Sequence, residues 1–282
     1  MDPQLGPSLS SGFDIKAVTE LGEARQLVFG DLSDSFNPFL PRFVREALLG
    51  GGEVWVSRED SAANGLLLYN VIEKVGSIFT RDARVARRLF EVKAAGAFFS
   101  EFSLSTKAEM YPVFAVEPAE RADPHPFTHP VRMARRSEHP AIIRMLNEMY
   151  GPIDTRWLQV ASREEERCFV VDLAGEIAGV GWVSVVGAYG RLHSLSVRPH
   201  YRRIGIGTDL WHARILWAQG AGARRIISEI SEHNVASLAI ARAGGMRRIG
   251  QQFLSHKSGG AATPVLPLGS PAERADLVSH VD

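Results

Sequence analysis

Apolar and polar positions alternate in short bursts along this chain, and helical spacing fills the gaps between them. Short alternating or continuously apolar runs in DIKAV (14–18), EVWVSRE (53–59), GLLLYNVI (65–72), VGSIFT (75–80), AFFSEF (97–102) and YPVFAVE (111–117) predict strands. EVWVSRE and GLLLYNVI are expected to pair across the SAAN turn between them. Helical spacing covers 22–49 and RDARVARRLFEVKAAG (81–96). Further along, PVRMA (130–134) reads as a strand and HPAIIRMLNEMYG (139–151) as an amphipathic helix stopped by its glycine. RCFVVDLAGEIAGVGWVSVV (167–186) reads as two strands joined at 173–175, followed by the strand RLHSLSV (191–197). A helix is expected over 205–220, with Leu210, Ala213, Ile215, Leu216 and Trp217 as its apolar face. RIISEIS, VASLAIARAG and MRRIGQQFLS then predict strand, helix and strand.

The second group gives the order β-α-β-β-β-α-β-α-β, which implies an α/β fold: a mixed sheet with helices packed on it. RADPHPFTHP (121–130), with three prolines and little apolar content, reads as a linker. Residues 1–12 are expected to be disordered and 257–282 to form a tail, which leaves two bodies, 13–120 and 131–256. Both contain a strand, a basic joint, a helix and a glycine before the next strand. VGSIFTRDARVARRLFEVKAAGA and LHSLSVRPHYRRIGIGTDLWHARILWAQGAGA therefore read as degenerate copies of one unit.

Composition narrows the function. The 282-residue chain is 45% hydrophobic and 23% charged, with a formal net charge of +0. That balance exerts no general pull toward nucleic acid or an anionic membrane, and no apolar run reaches the ~20 residues of a membrane helix. The opening MDPQLGPSLSSG lacks an apolar core, so no signal peptide is read and a cytoplasmic location is expected. The single cysteine, Cys168, cannot form an internal disulfide and sits in an apolar run. No CxxC, HExxH or clustered ligand set suggests a metal, and no G-x-S-x-G elbow occurs.

The informative stretch is VRPHYRRIGIG (197–207). Glycine weakens a helix, yet two glycines and two arginines stand where one begins. A helix start carries unpaired N–H groups and a partial positive charge, and glycine lets an anion reach them without a Cβ in the way. The string V-x-P-x-x-R-x-x-G-x-G, matched by Val197, Pro199, Arg202, Gly205 and Gly207, resembles the acetyl-CoA-binding motif of the GNAT superfamily of N-acetyltransferases. The resemblance covers 131–256 and implies a GNAT-like fold. It further implies that Arg202, Arg203, Ile204, Gly205, Ile206, Gly207 and Thr208 hold the coenzyme pyrophosphate, and that the strand Leu195, Ser196, Val197 hydrogen-bonds the pantetheine and thioester.

HNVASLAIARAGGM (233–246) is similar to a second segment of that family, N-x-x-A-x-x-L-Y-x-x-x-G-F, matched at Asn234 and Gly245. The tyrosine that in this family often protonates the departing thiolate falls on Ala241, so thiolate loss would use water, another donor such as Tyr189, Ser237 or His233, or no protein acid at all. RLHSLSV resembles the histidine-bearing strand of arylalkylamine N-acetyltransferases. His193 then becomes the candidate general base, since a neutral imidazole suits proton removal from an ammonium near neutral pH. Simple alternation puts His193, Leu195 and Val197 on one face and Leu192, Ser194 and Ser196 on the other. Glu229 is the second candidate base.

The arginine doublets 224–225 and 247–248 could grip the coenzyme's 3′-phosphate, and Trp55, Tyr69 and the FNPFLPRF run (36–43) could line an acceptor site. The expectation is two GNAT-like units in tandem, the first without the phosphate loop. The chain would transfer an acetyl group from acetyl-CoA to the amine of a small molecule or peptide, without metal, nucleic acid or membrane partner, and with room for a homodimer. The alternative is a non-catalytic acyl-CoA-binding sensor or scaffold.

Overall fold

The structure is a computed structural model describing residues 14–20, 22–23, 39–71, 74–117, 126–151 and 166–257. Expectations for 1–13, 24–38, 118–125 and 258–282, which include the N-terminal segment, much of the first helical region and most of the tail, fall outside the described residues.

The strands are β1 (Asp14–Val18), β2 (Glu53–Glu59), β3 (Ala62–Asn70), β4 (Val75–Phe79), β5 (Ala97–Ser100) and β6 (Glu109–Val116), then β7 (Val131–Met133), β8 (Glu166–Leu173), β9 (Glu176–Val186), β10 (Tyr189–Val197), β11 (Arg225–Glu229) and β12 (Arg247–His256). The α-helices that lie wholly within the described residues are, in chain order, α1 (Leu40–Leu49), α2 (Ala83–Glu91), α3 (His139–Tyr150), α4 (Ile206–Gly220) and α5 (Val235–Ala243).

All twelve strands form one sheet, in the order β1-β2-β3-β4-β5-β12-β6-β11-β10-β9-β8-β7. Read inward from either edge, the two halves repeat the same sequence of pairings. Antiparallel strands lead to one parallel pair, β4 with β5 on one side and β10 with β11 on the other. The last strand of each half then crosses over. β12 pairs with β5, β6 pairs with β11, and the two exchanged strands pair with each other.

Local chemistry sets the turns. Asp60 and Ser61 both have positive φ (49° and 72°), so β2 and β3 join through a two-residue turn of the primed kind. The turn is therefore shorter than the SAAN reading, and Ala62–Asn64 belong to β3. Ala174 and Gly175 (φ 52° and 82°) make the same turn between β8 and β9.

Each half packs helices on both faces. In β3, Leu66 and Leu68 face the α1 cluster while Leu67 and Tyr69 face the α2 cluster. In β9, Val180 and Trp182 face α3, and Val183 and Val185 face α4. Leu210, Trp211 and Ile215 of α4 are fully or nearly fully buried, each contributing roughly 2 kcal/mol at most. Trp211 lies against Gly244, where a Cβ would come within 2.1 Å of the indole, so α4 and α5 meet only because that residue is glycine.

The buried face of α4 differs from the expected one: it comprises Ile206, Asp209, Leu210, Trp211, Arg214, Ile215 and Ala218. Leu216, expected inside, is 51% exposed, whereas two charged residues are inside. The expected face followed apolar identity alone, and both buried charges are hydrogen-bonded in ways that identity does not show. Asp209 accepts from the backbone N–H groups of Thr128 (3.3 Å) and His129 (2.9 Å), tying the segment before β7 to the start of α4.

Candidate active site

β10 and β11 pair only through residue 191, opposite Ile227, and then separate. Beyond that vertex the Ser228 hydroxyl donates to the Leu192 carbonyl (3.2 Å) across the widening gap. β10 itself is bulged. Between the pairs His193–Trp182 and Ser196–Val180, two residues of β10 oppose Gly181 alone, and Ser194 takes a positive φ of 52°. The bulge corrects the alternation expected from sequence. Ser196 lands on the same face as His193, beside Val180 and Trp182, while Val197 turns toward Ile206. An extra residue reverses every later side chain, and a period-two pattern carries no sign of it.

A cleft of about 550 Å³ runs along β10 from Leu195 to the start of α4. Leu195, Ser196 and Val197 form one wall, and Arg202, Arg203, Gly205, Ile206, Gly207 and Thr208 form its mouth. Ile204 is not part of the lining and is 46% exposed. Gly205 caps α4 with φ 98° and no side-chain hydrogen bond, which leaves the first-turn N–H groups open. Arg202 folds back so that its Nε donates to the Val197 carbonyl (3.1 Å), pinning the loop to the strand it leaves.

Asn234 lines the far wall, but its side chain is engaged as the N-cap of α5, accepting from Ser237 N–H at 2.8 Å. Ser237 reaches the cleft, His233 and Tyr189 are absent from its lining, and Ala241 is buried in the core. The corresponding helix start in the first half is closed. Asp82 caps α2 and accepts from Arg84 N–H at 2.7 Å, so a carboxylate already stands where an anion would sit.

Both candidate bases stand on the sheet face opposite α4, in a charged group that sequence reasoning had only in part. His193 Nε2 lies 2.7 Å from Glu166 Oε1, with the Ser184 hydroxyl 3.1 Å from the same nitrogen. His193 Nδ1 is 3.2 Å from Ser194 Oγ. Glu166 also pairs with Arg42 of α1, which in turn binds Glu46 at 2.6 Å. Glu229 binds Arg191 at 3.1 Å, and the Arg191 guanidinium stacks over the Phe43 ring at 5.3 Å. The first half thus supplies Arg42, Phe43 and Glu46 to the face that carries His193.

Burial holds the His193 imidazole below its ordinary pKa, opposed by Glu166. Burial pushes Glu166 upward, but His193 and Arg42 outweigh it and keep the carboxylate below its usual range. A neutral imidazole held by an ionised carboxylate is able to accept a proton. Glu166 and Ser184 gave no signal in the sequence, because neither belongs to a motif; Arg42 closes the 36–43 run together with Phe43, but its pairing with Glu166, 124 positions away, was not legible.

Other candidates lie away from the site. Arg225 pairs with Glu117 at 2.6 Å and Arg248 with Gln251, and none of the four doublet arginines lines the cleft. Trp55 and Tyr69 pack around Lys93, whose Nζ sits about 5 Å from each ring. Among the described residues no group of three or more His, Cys, Asp or Glu could hold a metal, and no helix is long and apolar enough to cross a membrane.

The splayed strands, the bulge and the open glycine-capped helix start border one cleft. Residues 133–245 match the acetyltransferase (GNAT) family model, and with the acetyltransferase-named relatives below this makes the chain an acyltransferase. Curated relatives from Pseudomonas aeruginosa and Pseudomonas paraeruginosa, named L-methionine sulfoximine/L-methionine sulfone acetyltransferase, are each 28% identical over 148 residues, covering 44% of this chain and 86% of the relative. In fold, the chain is similar to a GCN5-related N-acetyltransferase from Sphaerobacter thermophilus (TM-score 0.60, 16% identity, 88% of this chain and 96% of that one). It is also similar to a protein described as a tandem GNAT protein from the clavulanic acid biosynthesis pathway (TM-score 0.58, 11% identity, 88% and 100%).

Proposed function

We propose that the protein transfers an acetyl group from acetyl-CoA to the primary amine of a small, amino-acid-like molecule by direct attack in a ternary complex. The observation that carries this reading is the continuous path from the open start of α4, along β10, toward the vertex whose opposite face holds His193 and Glu166. The N–H groups of α4 and the Arg202 and Arg203 side chains bind the pyrophosphate. Backbone groups of 195–197 orient the pantetheine and polarise the thioester carbonyl. His193, fixed by Glu166, takes the ammonium proton through water or the Ser194 hydroxyl, since both of its ring nitrogens already face neighbours. The acceptor class is suggested by the Pseudomonas relatives, whose named substrates are amino-acid derivatives.

We read the first half as a second GNAT-like unit in tandem whose phosphate site is filled by Asp82, and whose α1 completes the acceptor face. A cytoplasmic setting suits a coenzyme-dependent small-molecule reaction. The test is release of free thiol from acetyl-CoA against a panel of amines. The second reading, an acyl-CoA sensor, is favoured by the alanine at 241. Under it, the His193→Ala variant would show little change in rate or coenzyme affinity, whereas an enzyme loses turnover and keeps coenzyme affinity.

A further inference from the structure

Arg214 is 2% exposed, deep between α4 and the sheet. Its described hydrogen bonds all go to backbone carbonyls: Nε to Leu210 (3.0 Å), and Nη1 to Trp182 (3.1 Å) and His193 (3.2 Å). Among the described residues no carboxylate pairs with it. A buried cation satisfied only by neutral dipoles is costly, and burial draws its pKa down to about 9.

The surroundings make room for this charge. The bulge frees the carbonyls that Arg214 binds, and Gly181, opposite the bulge, lies so close that a Cβ there would be 3.0 Å from Nε. Arg214 also lines a small cavity of about 30 Å³ at the vertex, with Leu195, Ser228, Glu229, Ser237 and Ile240. Leu195, Ser237 and Ile240 line the large cleft as well, so the cavity adjoins that cleft at its Leu195 end.

A donor whose pyrophosphate rests at the start of α4 has one path, along Val197, Ser196 and Leu195, and its sulfur arrives at this end. We propose that Arg214 is the electrostatic partner of the coenzyme sulfur, stabilising the thiolate as it leaves in place of a proton-donating side chain. The proposal rests on the reading of the cleft as an acyl-CoA site. The amine nitrogen attacks the thioester carbon, the carbonyl pair moves to oxygen, and the ammonium proton passes to the base. The carbonyl then re-forms, and the carbon–sulfur bond breaks with its pair on sulfur. Arg214 keeps its protons throughout. The thiolate remains paired with the guanidinium until release, and takes its proton from water.

The test compares CoA with desulfo-CoA, which has no thiol, by calorimetry of the full chain from pH 6 to 9. Other titratable groups facing the cavity or Arg214 are His193 on β10, Glu229 on β11 and Cys168 on β8, and they act on both ligands alike. If Arg214 favours thiolate, CoA gains on desulfo-CoA as pH rises, about tenfold for each unit by which the bound thiol's pKa is lowered. Thiolate absorbance of bound CoA grows in at a correspondingly lower pH. Arg214→Met removes both effects, and Arg214→Lys retains part of them. A CoA to desulfo-CoA ratio that stays flat with pH in the unaltered protein overturns the proposal, whether or not the Met variant folds. An equal rise in a folded Arg214→Met variant overturns it as well. Failure of both ligands to bind overturns the reading of the cleft itself.

Discussion

His193 and Glu166, on strands that do not touch each other, meet at 2.7 Å across the intervening β9. Glu166 is opposite Ser184, and His193 is opposite Trp182, two residues along the same strand face. The pair is therefore set by sheet register, and the remaining oxygen of Glu166 reaches Arg42 from the first half. The pair gives activity and stability a common dependence on pH.

His193 must be neutral to work, so activity should fall on the acid side, below the ordinary imidazole value of about 6.5. Glu166 raises the His193 pKa and Arg42 lowers it. Glu166→Gln should therefore move the acid limb of the kcat profile to lower pH, and Arg42→Met should move it to higher pH. Opposite displacements in the two pH–rate profiles are the expected result, and displacements of the same sign contradict the assignment.

Stability follows with a definite sign. His193 has a depressed pKa, so below about 6.5 the unfolded chain binds the proton more readily and folding weakens as pH falls. Glu166 is also depressed, so its contribution is present above about 4.5 and lost as pH falls through its folded value. Thermal melts should show Tm falling steadily from pH 7 to 4. Arg42→Met, which strands a buried carboxylate, should cost about 3 kcal/mol at pH 7 by denaturant titration.

Gly205 holds φ 98° at the open start of α4. Gly205→Ala should cost about 1 kcal/mol in strain and place a methyl in the phosphate mouth. CoA affinity should drop at least tenfold by calorimetry, with kcat at saturating donor changed less than KM.

Asp82→Ala removes the cap of α2 and should cost about 1 kcal/mol of stability. Donor affinity and turnover should not change, because that helix start is outside the cleft. A change in CoA binding would give the first half a donor role it is not assigned here.

The glycine-capped loop before α4 was legible in the sequence because its pattern is local: glycines, arginines and a helix start lie within eleven residues. The strands and helices around it were legible for the same reason, through periodicity. The exchange of β6 and β12 was not, since strand order depends on partners far apart in the chain. Nor were the bulge at 194–195 and the buried Arg214, because a bulge breaks alternation silently and an arginine amid apolar neighbours reads as solvent-facing. Glu166 and Arg42 acquire meaning only when register and packing bring them together.

The central claim is tested most directly by following free thiol while the full chain is mixed with acetyl-CoA and a panel of amino acids, amino-acid analogues and simple amines. The account predicts amine-dependent thiol release with at least one amino-acid-like acceptor, reduced by a factor of about 10² or more in His193→Ala with CoA affinity retained. Tight CoA binding with no thiol release above the buffer rate on any amine would contradict it.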